Sequence, residues 1–192
     1  MAVREWRRLG SEFRRQTRIL AYLAGAMILA EGIDQLLLGG ALDQFGIAPR
    51  RLVGLRGIFL APLLHGGFAH LAANLLPLVT FGWLVMLRRT EDIFPVTAIV
   101  VVVGGLGVWL FGRDHAIHLG ASGLIFGYLG FLLLRGWFER SLGSLAFSIL
   151  IGVLYGGMVW GVLPSSPYIS WEAHLFGFAA GILAARLVAR RR

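Results

Sequence analysis

Six long apolar runs, separated by short polar stretches, divide the 192 residues of this chain and leave few folds open to it. A bilayer's hydrocarbon core is about 30 Å thick, so a crossing helix needs roughly 20 predominantly apolar residues. In lipid, only helices and closed barrels satisfy every backbone polar group internally. The runs cover 19–38, 71–87, 93–111, 124–138, 142–163 and 173–188, and they predict an all-α polytopic membrane protein with six transmembrane helices. Hydrophobic residues make up 57% of the chain and charged residues only 15%, against about 25% charged in a soluble domain. The expected organisation is an Arg-rich juxtamembrane segment over 1–18, a six-helix membrane domain over 19–188 and a basic tail over 189–192, with no room for a separate soluble domain.

The formal net charge of +8 raises nucleic acid as a partner, but the distribution of that charge argues against it. Lysine is absent, and the arginines crowd before the first apolar run and after the last. Those are membrane-flanking positions, where arginine meets anionic lipid and sets orientation. The inner group comprises both terminal clusters with Arg88, Arg89, Arg135 and Arg140, leaving Arg50, Arg51, Arg56 and Arg113 outside. Both termini are therefore expected in the cytoplasm, in a bacterial inner membrane. Reading the first run as a cleaved signal peptide fits poorly, because Glu31 and Asp34 lie within the same apolar stretch. The absence of cysteine excludes disulfides and thiolate metal sites.

This topology brings the start of the fourth run, the start of the sixth and the end of the long 39–70 connection to the outer side. That connection is rich in Gly and Pro, and its length marks it as functional or disordered. Thirteen residues, about 20 Å of helix, separate Ser122 from Arg135. If Arg135 snorkels to the inner interface, Ser122 lies several ångströms below the outer surface. A hydroxyl at that depth needs a water-filled cavity.

Ser122 stands in Gly120-Ala121-Ser122-Gly123, and His174 opens Ala173-His174-Leu175-Phe176-Gly177-Phe178-Ala179-Ala180-Gly181. The bland reading of the serine is a helix cap. The chemical reading is a nucleophile whose neighbouring N–H groups point to where an oxyanion would form. Gly123 and Gly127 on the fourth run, and Gly177 and Gly181 on the sixth, repeat at the spacing that lets helix backbones approach closely. Close contact there would pair Ser122 with His174. Glu172, two residues before the histidine, points to another helix face, so a dyad is expected and not a triad.

A third cluster reads His65-Gly66-Gly67-Phe68-Ala69-His70-Leu71-Ala72-Ala73-Asn74. His70 and Asn74 are four apart, so both can aim donors at one point, as an oxyanion hole requires. The alternative is a polar pair satisfying the loop backbone. Zinc on His65, His70 and His174 is disfavoured, since no His-Glu-x-x-His, cysteine or suitably spaced carboxylate accompanies them. Asp114, His115 and His118 read as solvated loop residues. Glu31 and Asp34 are placed near the outer end of a tilted first helix, beside Asp43.

Taken together, these clusters resemble the rhomboid family of intramembrane serine proteases. The likeness spans about 56–181 and carries the family's signatures in order: His-Gly-Gly-x-x-His-x-x-x-Asn, Gly-Ala-Ser-Gly, then Ala-His-x-x-Gly-x-x-x-Gly. The resemblance implies Ser122 as nucleophile and His174 as general base. It implies His70, Asn74 and the Ser122 N–H as the oxyanion hole, with Gly120, Gly123, Gly177 and His65 in support. Phe126, four residues after the serine, takes the place of the aromatic residue stacked on the histidine. It implies no cofactor and no metal, transmembrane proteins as substrates, and the segment 164–171 as a movable cap over the site. The family's Trp-Arg pair in the first outer loop has Leu55-Arg56 as its nearest equivalent, so the loop is expected to lack its membrane-seated tryptophan. A catalytically inactive rhomboid-like binder of membrane helices is the competing reading, and a small transporter is the third.

Overall fold

The computed structural model describes residues 2–164 and 169–189. Its first helix, α1 (Ala2–Ile33), runs unbroken from the Arg-rich segment into the first apolar run and ends in a π turn, Asp34–Leu38. The 39–70 connection is ordered as short helical turns: Ala41–Phe45, Leu52–Arg56, α2 (Gly57–Leu60) and Ala61–Leu63. Then come α3 (Phe68–Met86) and a third span built from α4 (Ile93–Ile99), a π turn (Val100–Gly104) and α5 (Gly105–Phe111). The last three helices are α6 (Ser122–Glu139), α7 (Leu142–Tyr155) with its 3-10 extension Gly156–Val162, and α8 (Trp171–Ala189).

Among the described residues, five of these elements are long and apolar enough to cross a membrane: Leu9–Leu38, Phe68–Met86, Thr90–Phe111, Leu142–Val162 and Trp171–Ala189. The sixth, α6, sits at the centre, against α3, the third span, α7 and α8. It is the most enclosed, with Tyr128, Leu129, Phe131 and Leu132 fully buried. A helix surrounded by protein needs less lipid-facing apolar surface, and α6 carries Arg135 and Glu139 in its last turns. The outer helices show the reverse pattern: Leu142 is 87% exposed and Val153 78%. Apolar exposure on that scale belongs against lipid.

Arg135 does not snorkel. It is 2% exposed, and its guanidinium is paired with Asp92 at 3.1 Å and Glu139 at 2.8 Å, so its depth reports internal pairing and not an interface. Arg88 joins the same network through Glu139 and Ser144.

The closest helix contact is the one the glycine spacing predicts. α6 and α8 pack more extensively than any other pair. A Cβ on Gly177 would collide with the Gly123 carbonyl, and one on Gly181 with the Gly127 carbonyl. The pairs advance together along both chains, so the helices run parallel and their amino-terminal ends lie side by side.

Candidate active site

Ser122 is the first residue of α6, and the cap position belongs to Ala121, with no side-chain cap bond. The serines that do cap helices are Ser141, whose hydroxyl accepts from the Ser144 N–H at 3.2 Å at the start of α7, and Ser170, whose hydroxyl accepts from the Ala173 N–H at 3.3 Å at the start of α8. The Ser122 hydroxyl makes no hydrogen bond among the described residues and faces a cavity of about 630 Å³. His70, Asn74 and His174 line the same cavity. Three sequence clusters more than 100 residues apart at their extremes thus converge at the amino-terminal ends of α3, α6 and α8.

His174 is held on two sides. Its Nδ1 lies 2.8 Å from the Gly161 carbonyl oxygen, and its ring stacks on Phe126 with centroids 4.1 Å apart and planes 7° from parallel. A carbonyl only accepts, so Nδ1 carries the proton and Nε2 keeps its lone pair. That is the tautomer a general base requires. Among the described residues no carboxylate takes the orienting role: Glu172, 1% exposed, is paired with Arg113 Nε at 2.7 Å. No hydrogen bond joins Ser122 to His174 among the described residues; such contacts are commonly long before substrate binds and tighten in the Michaelis complex.

His70 has the complementary tautomer. Its Nδ1 accepts from the Gly66 N–H at 3.3 Å, which leaves Nε2–H as a donor. That edge lies against Gly120, where a Cβ would stand 2.8 Å from His70 Nε2. Gly120 also has φ +108°, a conformation that glycine adopts without strain. Asn74 donates one amide hydrogen to the His70 carbonyl at 2.9 Å, which assigns its flip. His65 is fully buried, packs edge-on to His70 at 5.2 Å, and accepts from the Ala121 N–H at 3.4 Å through Nε2. Burial, reinforced by the positive charge of a protonated His70, holds its pKa down to about 4, so it is neutral at ordinary pH.

The 112–121 connection differs from its expected solvated state. Asp114 is exposed and paired with Arg50 at 2.5 Å, and His115 is exposed, but His118 is 3% exposed. A backbone bridge to Ile47 pulls it inward, and its Nδ1 lies 2.6 Å from the Ser170 hydroxyl. Burial lowers the His118 pKa. Arg113 adds a bond from Nη2 to the Ile169 carbonyl at 3.0 Å, so two side chains of this connection tie down the chain entering α8. The cap segment's centre, 165–168, lies outside the described residues.

Glu31 and Asp34 do lie beside Asp43 at the site end of α1, yet both are buried, at 1% and 2% exposed. Asp34 accepts from the Leu42 N–H at 2.8 Å. In the 39–70 connection, Arg56 stacks over Phe45 at 4.1 Å. Gly54 and Gly57 there press directly on the backbone of Ala48 and Gly46, so close backbone packing orders the loop without a tryptophan.

Sequence reasoning missed Gly161, His118, Ser170 and the Arg113–Glu172 pair. The signal for Gly161 was available only as one more glycine after Gly156 and Gly157. Among the described residues, no group of three or more His, Asp or Glu side chains is arranged to hold a metal ion.

Fold and cavity define a class: a polytopic helical membrane protein with a serine and a histidine lining a recess at one end of its bundle. A family profile for the Rhomboid domain matches residues 54–191. An uncharacterized protein of Mycobacterium tuberculosis is 41% identical over 180 residues, covering 90% of this chain and 74% of the relative. One of Mycobacterium leprae is 39% identical over 178 residues, covering 88% and 70%. RHOMBOID-like protein 5 of Arabidopsis thaliana is 34% identical over 164 residues, covering 77% of this chain and 50% of that protein. The chain belongs to the rhomboid family.

Proposed function

We propose that this protein is an intramembrane serine endopeptidase that cleaves transmembrane segments of other membrane proteins. Ser122 Oγ attacks the scissile carbonyl while His174 Nε2 takes its proton, giving an acyl-enzyme and delivering the proton to the leaving amine; water, activated by the same histidine, then releases the acid. His70 Nε2–H, the Asn74 amide and the Ser122 N–H stabilise the oxyanion. The observation that carries this reading is one cavity lined by Ser122, His174, His70 and Asn74 together, with each histidine in the tautomer its role needs.

Substrate would reach the cavity past α7, whose apolar window is only 11% buried. The protein would sit in a bacterial inner membrane with both termini cytoplasmic. An inactive helix binder would have no use for a serine hydroxyl lining one cavity with two histidines and an asparagine. The test is to incubate purified protein in liposomes with a reporter carrying a helix-destabilised transmembrane segment. Cleavage lost on Ser122→Ala and on His174→Ala is expected; cleavage that survives both, or never occurs, overturns the proposal.

A further inference from the structure

His118 stands four residues before Ser122, and Ser170 stands four before His174. A hydrogen bond of 2.6 Å between His118 Nδ1 and the Ser170 hydroxyl joins them, so the chain entering α6 is tied to the chain entering α8. Both ends of that bond are anchored. His118 exchanges two backbone hydrogen bonds with Ile47, at 2.8 and 2.9 Å. Ser170 Oγ accepts from the Ala173 N–H at 3.3 Å, and the Ser170 carbonyl accepts from the His174 N–H at 3.3 Å. With Oγ already accepting, the hydroxyl proton goes to His118 Nδ1 and the imidazole proton sits on Nε2. That nitrogen has no partner among the described residues, so Ser170 is what orients the ring.

We propose that His118 and Ser170 form a positioning pair that holds the amino-terminal ends of α6 and α8 together, and with them the spacing of Ser122 and His174. The glycine contacts do not reach that far. They begin at Gly123 and Gly177 and run away from the cavity. Ser122 opens the first turn of α6, where helices fray and where Ala121 supplies no side-chain cap. A tie ahead of both helices closes the contact from its open end. Any effect on cleavage rests on the protease reading above; the effect on helix-end spacing does not. Both side chains also line the cavity, so direct contact with substrate is the competing role.

Two readouts on the full-length protein separate these roles. The chain has no cysteine, and a Cβ on Gly123 would stand 3.6 Å from the Ala173 Cβ, within the span of about 3.5–4.5 Å that a disulfide bridges. Gly123→Cys with Ala173→Cys, oxidised with copper phenanthroline, therefore reports the spacing without any cleavage. Ser170→Ala would also strip the α8 cap, so His118 carries the test. Adding His118→Phe, which keeps a ring and removes the acceptor, is expected to slow cross-linking about tenfold, the upper end of what one neutral hydrogen bond contributes. His118→Asn, whose amide oxygen can accept near the Nδ1 position, restores the rate to within about twofold. In the cysteine-free protein, His118→Phe should lower kcat for the reporter about tenfold with KM unchanged, and His118→Asn should spare both. Cross-linking undiminished by His118→Phe, or slowed as much by His118→Asn, overturns the pairing. A rise in KM with kcat unchanged assigns His118 to substrate contact and overturns it too. Absence of cleavage by the unaltered protein sinks the protease reading and leaves the cross-linking rates to decide the pair.

Discussion

The Phe126 ring lies flat on the His174 imidazole, 4.1 Å away, while the carbonyl of Gly161 fixes the same ring at Nδ1 from 2.8 Å. Ring plane and tautomer are thus set by an aromatic face and a backbone oxygen. Glu172, the acidic residue nearest to His174 in sequence, is paired with Arg113 instead.

Replacing Ser122 or His174 by Ala is expected to lower reporter cleavage by at least about 10³-fold, with the double variant little worse than either single one, since members of a catalytic unit are not additive. Helical circular dichroism should not change.

Gly161 tests the support of the histidine. A Cβ there would stand 2.7 Å from the Phe126 ring and 3.7 Å from His174 Nδ1. Gly161→Val should push the stacked pair out of register and lower kcat by about 10²-fold, the cost of an ångström-scale misplacement. Steady-state kinetics should show a much smaller change in KM.

Gly177 tests the helix contact. Gly177→Val forces α8 away from the Gly123 carbonyl, and overpacking of this kind costs about 1–3 kcal/mol or more. The loss should appear in reversible unfolding in mixed micelles, with cleavage falling in parallel because Ser122 and His174 separate.

His65 makes the site end acid-sensitive. Its folded pKa, about 4, lies below the ordinary 6.5, so between those values the unfolded chain binds more protons. The stabilisation is complete above about pH 6.5 and is lost as pH falls toward 4. Thermal unfolding followed from pH 7 to 4 should show this decline, and His65→Asn should flatten it.

Arg135 should behave as a buried ion with two carboxylate partners. Arg135→Met leaves Asp92 and Glu139 short of a counter-charge, a loss that costs about 3–5 kcal/mol when a buried pair is broken. Denaturant unfolding measures it directly.

Much of this was legible in the chain. Five of the six apolar runs became helical within a few residues of their expected bounds, because a bilayer leaves the backbone little alternative, whereas the first helix begins at Ala2, well before the run expected over 19–38. The Gly123/Gly177 contact followed from the same glycine spacing. What could not be read was where polar side chains end. Arg135 looks like an interfacial arginine until Asp92, 43 residues earlier, is found beside it. His118 looks solvated until Ile47 and Ser170 close around it.

Linear pattern therefore determined the spans, the residues available for chemistry and their common end of the bundle, since these depend on local hydrophobicity and helix periodicity. Only the tertiary structure decided that Ser122 is free of capping, that Gly161 and not Glu172 orients His174, and that the 39–70 connection is ordered. Those outcomes depend on which distant groups meet, and a hydrogen bond between residues far apart in sequence leaves no periodic trace in the chain.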